Sequence, residues 1–117
     1  MEEAVRAYID AIDPAHRPLF DRFDGLIRRA HPTVTIGISY GMPTYQVDRY
    51  QLYVGVWKHG LSIYGWQEGA DAGFTVRHPE LMSRRGTIRL RPIDAAAISD
   101  DELTGLVRAA LGGDQPG

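Results

Sequence analysis

The sequence predicts an α+β fold in which a five-stranded antiparallel sheet carries two N-terminal helices and one C-terminal helix on one of its faces. Two patterns predict this fold. Apolar residues recur at helical spacing near both ends of the chain, whereas the middle alternates apolar and polar residues with a period of two. Short turns separate the alternating segments, and strands joined in this way pair antiparallel. Helices gathered before and after such strands are typical of α+β rather than doubly wound domains.

Two helices are predicted in the N-terminal part of the chain. The first has an apolar stripe with the spacing i, i+3, i+4, i+7, formed by Val5, Tyr8, Ile9 and Ile12. Asp13 is suited to cap the second helix and Pro14 to occupy its first position. The second helix has a wider apolar face, formed by Leu19, Phe20, Phe23, Leu26, Ile27 and Ala30. We expect it to end near Ala30, because Pro32 disfavours helical geometry in the residue before it.

Four strands are predicted after these helices. They cover residues 34–39, 44–47, 50–57 and 61–66, with turns at 40–43, 48–49 and 58–60. In the first turn, Gly41 can adopt a positive φ, and Pro43 forces Met42 into an extended conformation. The third strand alternates most clearly, because Leu52, Val54 and Val56 lie on one side of it and Gln51, Tyr53, Gly55 and Trp57 on the other.

The C-terminal part adds one strand and one helix. Residues 67–85 show no clear pattern because glycine and proline interrupt any helix, although 79–84 are compatible with a short one. Residues 86–91 alternate as a fifth strand. Ser99 and Glu102 form a predicted capping box at the start of the last helix, which Gly112 ends. The sequence therefore predicts a single domain over 1–111 and a flexible tail over 112–117.

Composition excludes several classes of protein. The chain has 117 residues, no cysteine and a formal net charge of -2, as expected for one soluble domain without disulfides, thiolate metal sites or a cysteine nucleophile. This charge argues against nucleic-acid binding, which needs a surplus of Lys and Arg. No segment approaches the roughly 20 apolar residues needed to cross a bilayer, so no membrane partner is expected. Glu2 and Glu3 stand where a secretory signal carries bases, which predicts a cytoplasmic location.

Alternation along the strands predicts a face of the sheet rich in aromatic residues and arginine. If the aliphatic residues face the helices, the other face presents tyrosine, tryptophan and arginine, which bind well when desolvated. Two further tyrosines are placed at the edge of this face, where their hydroxyl groups can donate hydrogen bonds. The predicted ligand-binding or interface residues are Tyr40, Tyr45, Tyr53, Trp57, Tyr64, Trp66, Arg89 and Arg91.

Three occupants of this face remain open at the level of sequence. A second copy of the chain would make it a homodimer seam, since such patches are seldom left bare on a monomer. Alternatively, residues 67–85 would fold over it. As a pocket for a small molecule, its rings and guanidinium groups would suit a planar or anionic ligand.

No catalytic or metal-binding motif is recognised in the sequence. The G-x-S-x-G, Walker-type and dinucleotide-binding patterns are absent, and the serines are explained as strand, loop or cap residues. The 4 histidines form no i, i+4 pair, so the ligands of any metal are unknown and no cofactor is expected. The sequence thus favours a non-enzymatic module that binds a small molecule or a second copy of itself.

Several sequence blocks resemble a known family. They are the pair YI at 8–9 in the first predicted helix, the segment ISYGMPTY over 38–45, the segment WKH over 57–59 followed by Leu61, the pair YG at 64–65 and the segment GTIRL over 86–90. Over about residues 5–111 the chain resembles the YdhG-like domain-of-unknown-function family. The resemblance implies a small α+β domain whose antiparallel sheet is backed by helices.

The same resemblance implies an alternative function. One branch of the family is described as frataxin-like intracellular iron chaperones, which hold iron through exposed carboxylates. Carboxylate oxygens are hard donors suited to labile binding. The positions that would correspond here are Glu2, Glu3, Asp10, Asp13, Asp21 and Asp24 on the first two predicted helices.

Overall fold

A computed structural model describes residues 2–67, 69–84 and 86–112. Within these residues, six strands form one antiparallel sheet in the order β1-β2-β3-β4-β6-β5. The strands are β1 (Thr35–Ser39), β2 (Met42–Val47), β3 (Tyr50–Trp57), β4 (Gly60–Tyr64), β5 (Met82–Arg84) and β6 (Thr87–Leu90). The helices are α1 (Glu3–Asp10), α2 (Arg17–Ala30), α3 (Phe74–Arg77), α4 (Pro92–Ala96) and α5 (Asp100–Ala110), with a 3-10 helix over Pro79–Leu81.

The α+β class and the antiparallel sheet are confirmed, but the number of elements is larger than predicted. The expected short helix over 79–84 is only one 3-10 turn, and Met82–Arg84 instead forms β5 along β6. A strand of three residues is too short to show alternation in the sequence. The helices α3 and α4 were also not predicted, since α3 has 4 residues and α4 has 5. The predicted tail, apart from Gly112, lies outside the described residues.

The ends of the helices follow the sequence only in part. α2 ends at Ala30 as predicted, but it begins at Arg17. Asp13 does not cap it, because its Oδ1 accepts a hydrogen bond of 2.8 Å from the backbone N–H of Ala15 and closes a separate turn. Among the described helices, α2 is the longest at 14 residues, and none has the length and apolar character needed to cross a membrane.

Half of the capping box of α5 is present. The backbone N–H of Glu102 donates a hydrogen bond of 3.2 Å to Oγ of Ser99, as the sequence predicts. The carboxylate of Glu102 does not return to Ser99. It accepts hydrogen bonds from Arg77 at 2.8 Å and from Nε2 of His78 at 2.6 Å. The side chain of Glu102 therefore ties α5 to α3 and the residue that follows it.

Tight hairpins connect the first four strands. Tyr40 and Gly41 join β1 to β2 with φ values of 53° and 75°. Positive φ at both central residues is the type I′ arrangement, whose twist matches that of antiparallel strands. Asp48, with φ of 53°, lies at the tip of the next hairpin, as predicted.

The core lies between one face of the sheet and the helices. α1 packs on β1 and β2, while α2 and α5 pack against each other and against β4 and β3. The inner face of the sheet is aliphatic in its centre, where the buried residues are Leu52, Val54, Leu61, Ile63, Ile88 and Leu90. The helices cover it with buried residues such as Phe20, Phe23, Leu103 and Leu106. This arrangement leaves the opposite face of the sheet, hereafter the outer face, on the side away from the three main helices.

Candidate functional site

The outer face is organised in rows set by the strand register. One row places Thr44, Tyr53 and Tyr64 side by side across β2, β3 and β4. The next row places Gly55 beside Ser62, and Ser62 beside Arg89 on β6. Because side chains alternate along each strand, these residues point away from the aliphatic core.

Three tyrosines form a strip on the outer face, hereafter the tyrosine strip: Tyr40, Tyr53 and Tyr64. The rings of Tyr53 and Tyr64 are stacked with centroids 5.1 Å apart, and Tyr40 meets the ring of Tyr53 edge-on at 5.8 Å. The hydroxyl of Tyr64 donates to the sulfur of Met42 at 3.0 Å, and that of Tyr53 donates to Gln51 at 2.8 Å. Desolvation, followed by the neighbouring Tyr53 and Tyr40, raises the pKa of Tyr64 above its ordinary value.

Gly65 holds the tyrosine strip close to the backbone. Its φ is 104°, and a Cβ at this position would lie 2.6 Å from Cδ2 of Tyr53. The ring of Tyr53 therefore rests directly on the chain where it leaves β4. Two of the three rings of the strip are half-buried by such contacts, whereas Tyr40 is 83% exposed at the hairpin tip.

Trp57 and Arg89 meet at the other end of the outer face. The guanidinium carbon of Arg89 lies 4.4 Å from the centroid of the Trp57 ring, within the range of a cation–π contact. The indole N–H of Trp57 donates to the backbone carbonyl of Leu61 at 3.2 Å, and the ring of His59 lies edge-on at 5.0 Å. These contacts fix the plane of the Trp57 ring at the end of β3.

An open cavity of about 330 Å³ lies beside this pair. Its walls combine the Trp57 ring and the apolar side chains of Leu81 and Met82 with charged groups, of which Arg89 is one. The other charged groups are Glu80, Arg91 and Asp94. The region thus joins an aromatic wall, an apolar wall and two guanidinium groups in one concave site.

The two arginines of the cavity differ in what they bind. Arg91 donates to Asp94 through Nε at 3.0 Å and Nη2 at 3.1 Å, and these contacts lower the pKa of Asp94. Its backbone N–H also donates to Asp94, so Arg91 caps the start of α4. Arg89 forms no ion pair with any residue that the structure describes, and its side chain is exposed. Arg89 is therefore the guanidinium that is free to receive a ligand.

The structure corrects the predicted position of Tyr45. In β2, Tyr45 pairs with Leu52 and points to the core, where it is 1% exposed. Its hydroxyl donates to Oδ1 of Asp24 at 2.8 Å. Burial and the negative charge of Asp24 raise the pKa of Tyr45 far above its ordinary value. Because Asp24 of α2 accepts the hydrogen bond of its buried hydroxyl, Tyr45 is a core residue and takes no part in the outer face.

The predicted position of Trp66 is also wrong. β4 ends at Tyr64, and the positive φ of Gly65 turns the chain before the alternation reaches Trp66. Trp66 packs half-buried against the hydrophobic core and lines a different cavity, together with Val76 and Met82. The structure therefore brings Tyr40, Tyr53, Trp57, Tyr64 and Arg89 to the outer face but separates Trp66 from them.

Residues 67–84, as far as they are described, are anchored on the helix side of the molecule. Phe74 is fully buried in the core. Arg77 and His78 both bind Glu102 of α5. Arg77, followed by His78, provides the hydrogen bonds that lower the pKa of Glu102. This segment extends the sheet through β5 rather than folding over the tyrosine strip.

The carboxylates implied by the family resemblance are not arranged around a common point. Asp21 is paired with Arg17 and Asp24 with Arg28, each at 2.9 Å. Within 2–67, 69–84 and 86–112, no group of three or more His, Asp or Glu side chains is placed to hold a metal ion.

Two residues near the outer face were not singled out in the sequence. Met42 lies across from Gly55 and accepts the hydrogen bond from Tyr64, and Asp94 occupies the fork of Arg91. Met42 lies two residues before Thr44 in β2, so both side chains point to the same face, and the strand register then places Met42 on the outer face. Asp94 follows Arg91 by three residues across Pro92, a spacing typical of a helix start.

Comparison of the chain with protein-family models, with curated proteins and with solved structures finds no match.

Proposed function

We propose that this protein is a non-enzymatic binding module that takes a small ligand at the Trp57–Arg89 end of its outer face. One observation carries the proposal: the Arg89 guanidinium lies 4.4 Å from the Trp57 ring, beside an open cavity of about 330 Å³. Pockets for small ligands combine apolar and aromatic walls with a few placed polar groups, and their volumes begin near 300 Å³. The volume of the cavity falls in this range, and its lining joins one aromatic and two apolar side chains with a larger share of polar groups than such pockets usually have.

The distribution of exposed apolar residues favours a small ligand over a second copy of the chain. The large hydrophobic side chains most exposed among the described residues are Tyr40, Val76 and Ile93. They lie in the first hairpin turn, in α3 and in α4. A stable homodimer needs a contiguous apolar patch of several hundred Å² on each partner. The tyrosine strip is also largely satisfied by its own contacts, since Tyr53 and Tyr64 stack and bind neighbouring side chains.

Three of the four charged groups of the cavity, Arg89, Arg91 and Asp94, suit recognition rather than turnover. Arg91 and Asp94 occupy each other through two side-chain hydrogen bonds. A guanidinium keeps its proton at all physiological pH values, so Arg89 can bind an acceptor but cannot act as a general base. Trp57 contributes a rigid surface on which a planar group can stack.

The test is a map of ligand contacts by NMR on ¹⁵N-labelled protein. A set of aromatic fragments with neutral, anionic and cationic members is titrated into the wild type, into Trp57→Ala and into Trp66→Ala. We expect fragment-dependent shifts at the backbone amides of Ser62 and Arg89. Trp57→Ala abolishes them, whereas Trp66→Ala preserves them because Trp66 lines another cavity. Circular dichroism checks that both variants are folded.

Two outcomes would contradict this function. One is the absence of shifts with every fragment, and the other is an equal loss of the shifts in Trp66→Ala; either result removes Trp57 as the binding surface. Shifts at the tyrosine strip that depend on protein concentration without any fragment would instead identify the outer face as a self-association surface.

A further inference from the structure

We infer that the ligand of this site is a small organic carboxylate whose two oxygens bind the guanidinium edge of Arg89. The inference rests on the proposed function, because it names the chemical class that the same cavity takes. It follows from three features of the site: the part of the guanidinium that remains free, the balance of charge in the walls, and the apolar surface beside them.

The cation–π contact leaves the hydrogen-bonding edge of Arg89 unused. Trp57 meets the guanidinium at 4.4 Å from its ring centroid, which is contact between a cation and a ring surface. Arg89 donates no hydrogen bond to any residue that the structure describes, so its N–H groups are not used by contacts within that part of the chain. No carboxylate among the described residues reaches them. A planar fork held in this way matches the two oxygens of a carboxylate.

Arg91, in the same cavity, already forms a guanidinium–carboxylate pair of this kind with a residue of the chain. Its Nε and Nη2 donate to the two oxygens of Asp94 at 3.0 and 3.1 Å. Arg89 lines the same cavity with no such partner in the described part of the chain. The cavity therefore contains one guanidinium that is paired with a carboxylate, Arg91, and one that has no carboxylate partner among the described residues, Arg89.

Among anionic ligands, the charges of the cavity walls favour one negative charge over two. Arg91 and Asp94 neutralise each other, which leaves the positive Arg89 and the negative Glu80. Among the described residues, the one basic group within 4 Å of the Glu80 carboxylate is Nδ1 of His78 at 3.7 Å, which is longer than a hydrogen bond. A carboxylate neutralises Arg89 with one charge, whereas a doubly charged phosphate would bring a second negative charge close to Glu80.

The apolar walls define the rest of the ligand. Trp57, Leu81 and Met82 lie around a volume of about 330 Å³. This volume accepts a body of one ring or a short branched chain, with the carboxylate directed to Arg89. The aromatic wall favours a planar body that can stack.

The experiment compares three probes of equal ring size: benzoate, benzamide and phenyl phosphate. Dissociation constants are measured by NMR titration at fixed ionic strength with wild type, Arg89→Gln, Arg89→Lys and Arg108→Gln. Arg108 is an exposed arginine of α5 and serves as the matched loss of one positive charge. We expect benzoate to bind at least tenfold tighter than benzamide in the wild type and in Arg108→Gln. Arg89→Gln removes the preference, and Arg89→Lys weakens benzoate several-fold because it keeps the charge and loses the fork.

The possible results test the carboxylate ligand separately from the proposed function on which it rests. Equal binding of benzoate and benzamide at Trp57 overturns the assignment of a carboxylate ligand but leaves the proposed binding site in place. Tighter binding of phenyl phosphate than of benzoate overturns it in favour of phosphate. A preference for benzoate that survives Arg89→Gln overturns the role of Arg89. If none of the three probes shifts the amides around Trp57 while other aromatic fragments do, the assignment of a carboxylate ligand is overturned. If no aromatic fragment shifts these amides, the proposed function fails as well.

Discussion

At the scale of single residues, Arg22 joins three elements with one guanidinium. From α2 it donates to Oδ1 of Asp100 at 2.7 Å, to the carbonyl of Ala95 at 3.0 Å and to the carbonyl of Ile98 at 2.7 Å. The two carbonyl groups belong to the end of α4 and to the connection that leads into α5. Carbonyl groups at a helix end need such a partner when they are shielded from water.

Replacing Arg22 is therefore expected to destabilise the fold. Arg22→Ala leaves the carbonyl of Ile98 and the carboxylate of Asp100 without this donor and removes one of two donors to the carbonyl of Ala95, which we expect to lower the free energy of unfolding by about 2 kcal/mol. Urea denaturation measures this loss. Arg29→Ala is the control, because Arg29 is exposed on the same helix and, among the described residues, donates only to Gly25 of its own helix at 3.4 Å. Equal losses in the two variants would contradict the bridging role of Arg22.

Tyr45 gives a prediction about alkaline pH. Because burial and Asp24 raise its pKa in the folded state, the phenol stays protonated there while the unfolded chain loses the proton near pH 10. The unfolded state then binds fewer protons than the folded state, so stability falls as the pH rises above about 10. Tyr45→Phe is expected to lose about 1 kcal/mol at pH 7, from the hydrogen bond to Asp24, and to flatten the alkaline decline. An alkaline decline as steep in Tyr45→Phe as in the wild type would contradict this assignment.

At the scale of elements, the approach of β4 to β6 depends on Gly60. A Cβ at this position would collide with the backbone carbonyl oxygen of Leu90, and backbone cannot move aside as a flexible side chain can. Gly60→Ala is therefore expected to lower the free energy of unfolding by about 2 kcal/mol or more. Gly25→Ala in α2 meets no atom within 4 Å and is expected to raise stability by up to about 1 kcal/mol. Thermal unfolding of both variants checks the opposite signs, and the same sign in both would contradict this account.

The central strands were predictable because alternation alone assigns their faces. In β3 and β4 a period of two separates Leu52 and Ile63 from Tyr53 and Tyr64, and a shift of one residue would bury the wrong set. Tyr45 was misplaced because a tyrosine is compatible with either face, and only its pairing with Leu52 decides which one it takes.

The ends of elements were the least predictable part of the fold. Trp66 was assigned to the outer face because nothing in the sequence shows that Gly65 turns the chain after Tyr64. β5 exists because β6 offers it an edge, and its 3 residues have no pattern of their own. The candidate site was therefore predictable only in part. Trp57 and Arg89 were predicted for it, whereas Leu81, Met82 and Asp94 come from the irregular segment and from α4 and were not.

At the scale of the whole molecule, the two faces of the sheet have different roles. The inner face and the helices make the core, and two ion pairs on that side connect elements: Arg22 joins α2 to α5, and Glu102 joins α5 to the segment after β4. The outer face presents the tyrosine strip at one end and the Trp57–Arg89 pair at the other. Only the second end has both a cavity and a charged group without an internal partner among the described residues.

This division predicts a monomer. Because the exposed apolar side chains are scattered over separate elements, we expect sedimentation equilibrium at about 100 µM protein to give the mass of a single chain. A dimer mass that Tyr40→Ser or Tyr53→Ser reduces to that of a monomer would contradict the assignment of the outer face to a small ligand.

The most direct test of the central claim uses Trp57 as its own reporter. The variant Trp66→Phe leaves Trp57 as the only tryptophan, since the chain has 2. With benzoate as the probe, we predict a saturable change in its fluorescence that Arg89→Gln weakens at least tenfold in affinity. A fluorescence signal that does not change with any aromatic fragment, while the protein remains folded, would contradict the claim that Trp57 and Arg89 form a binding site.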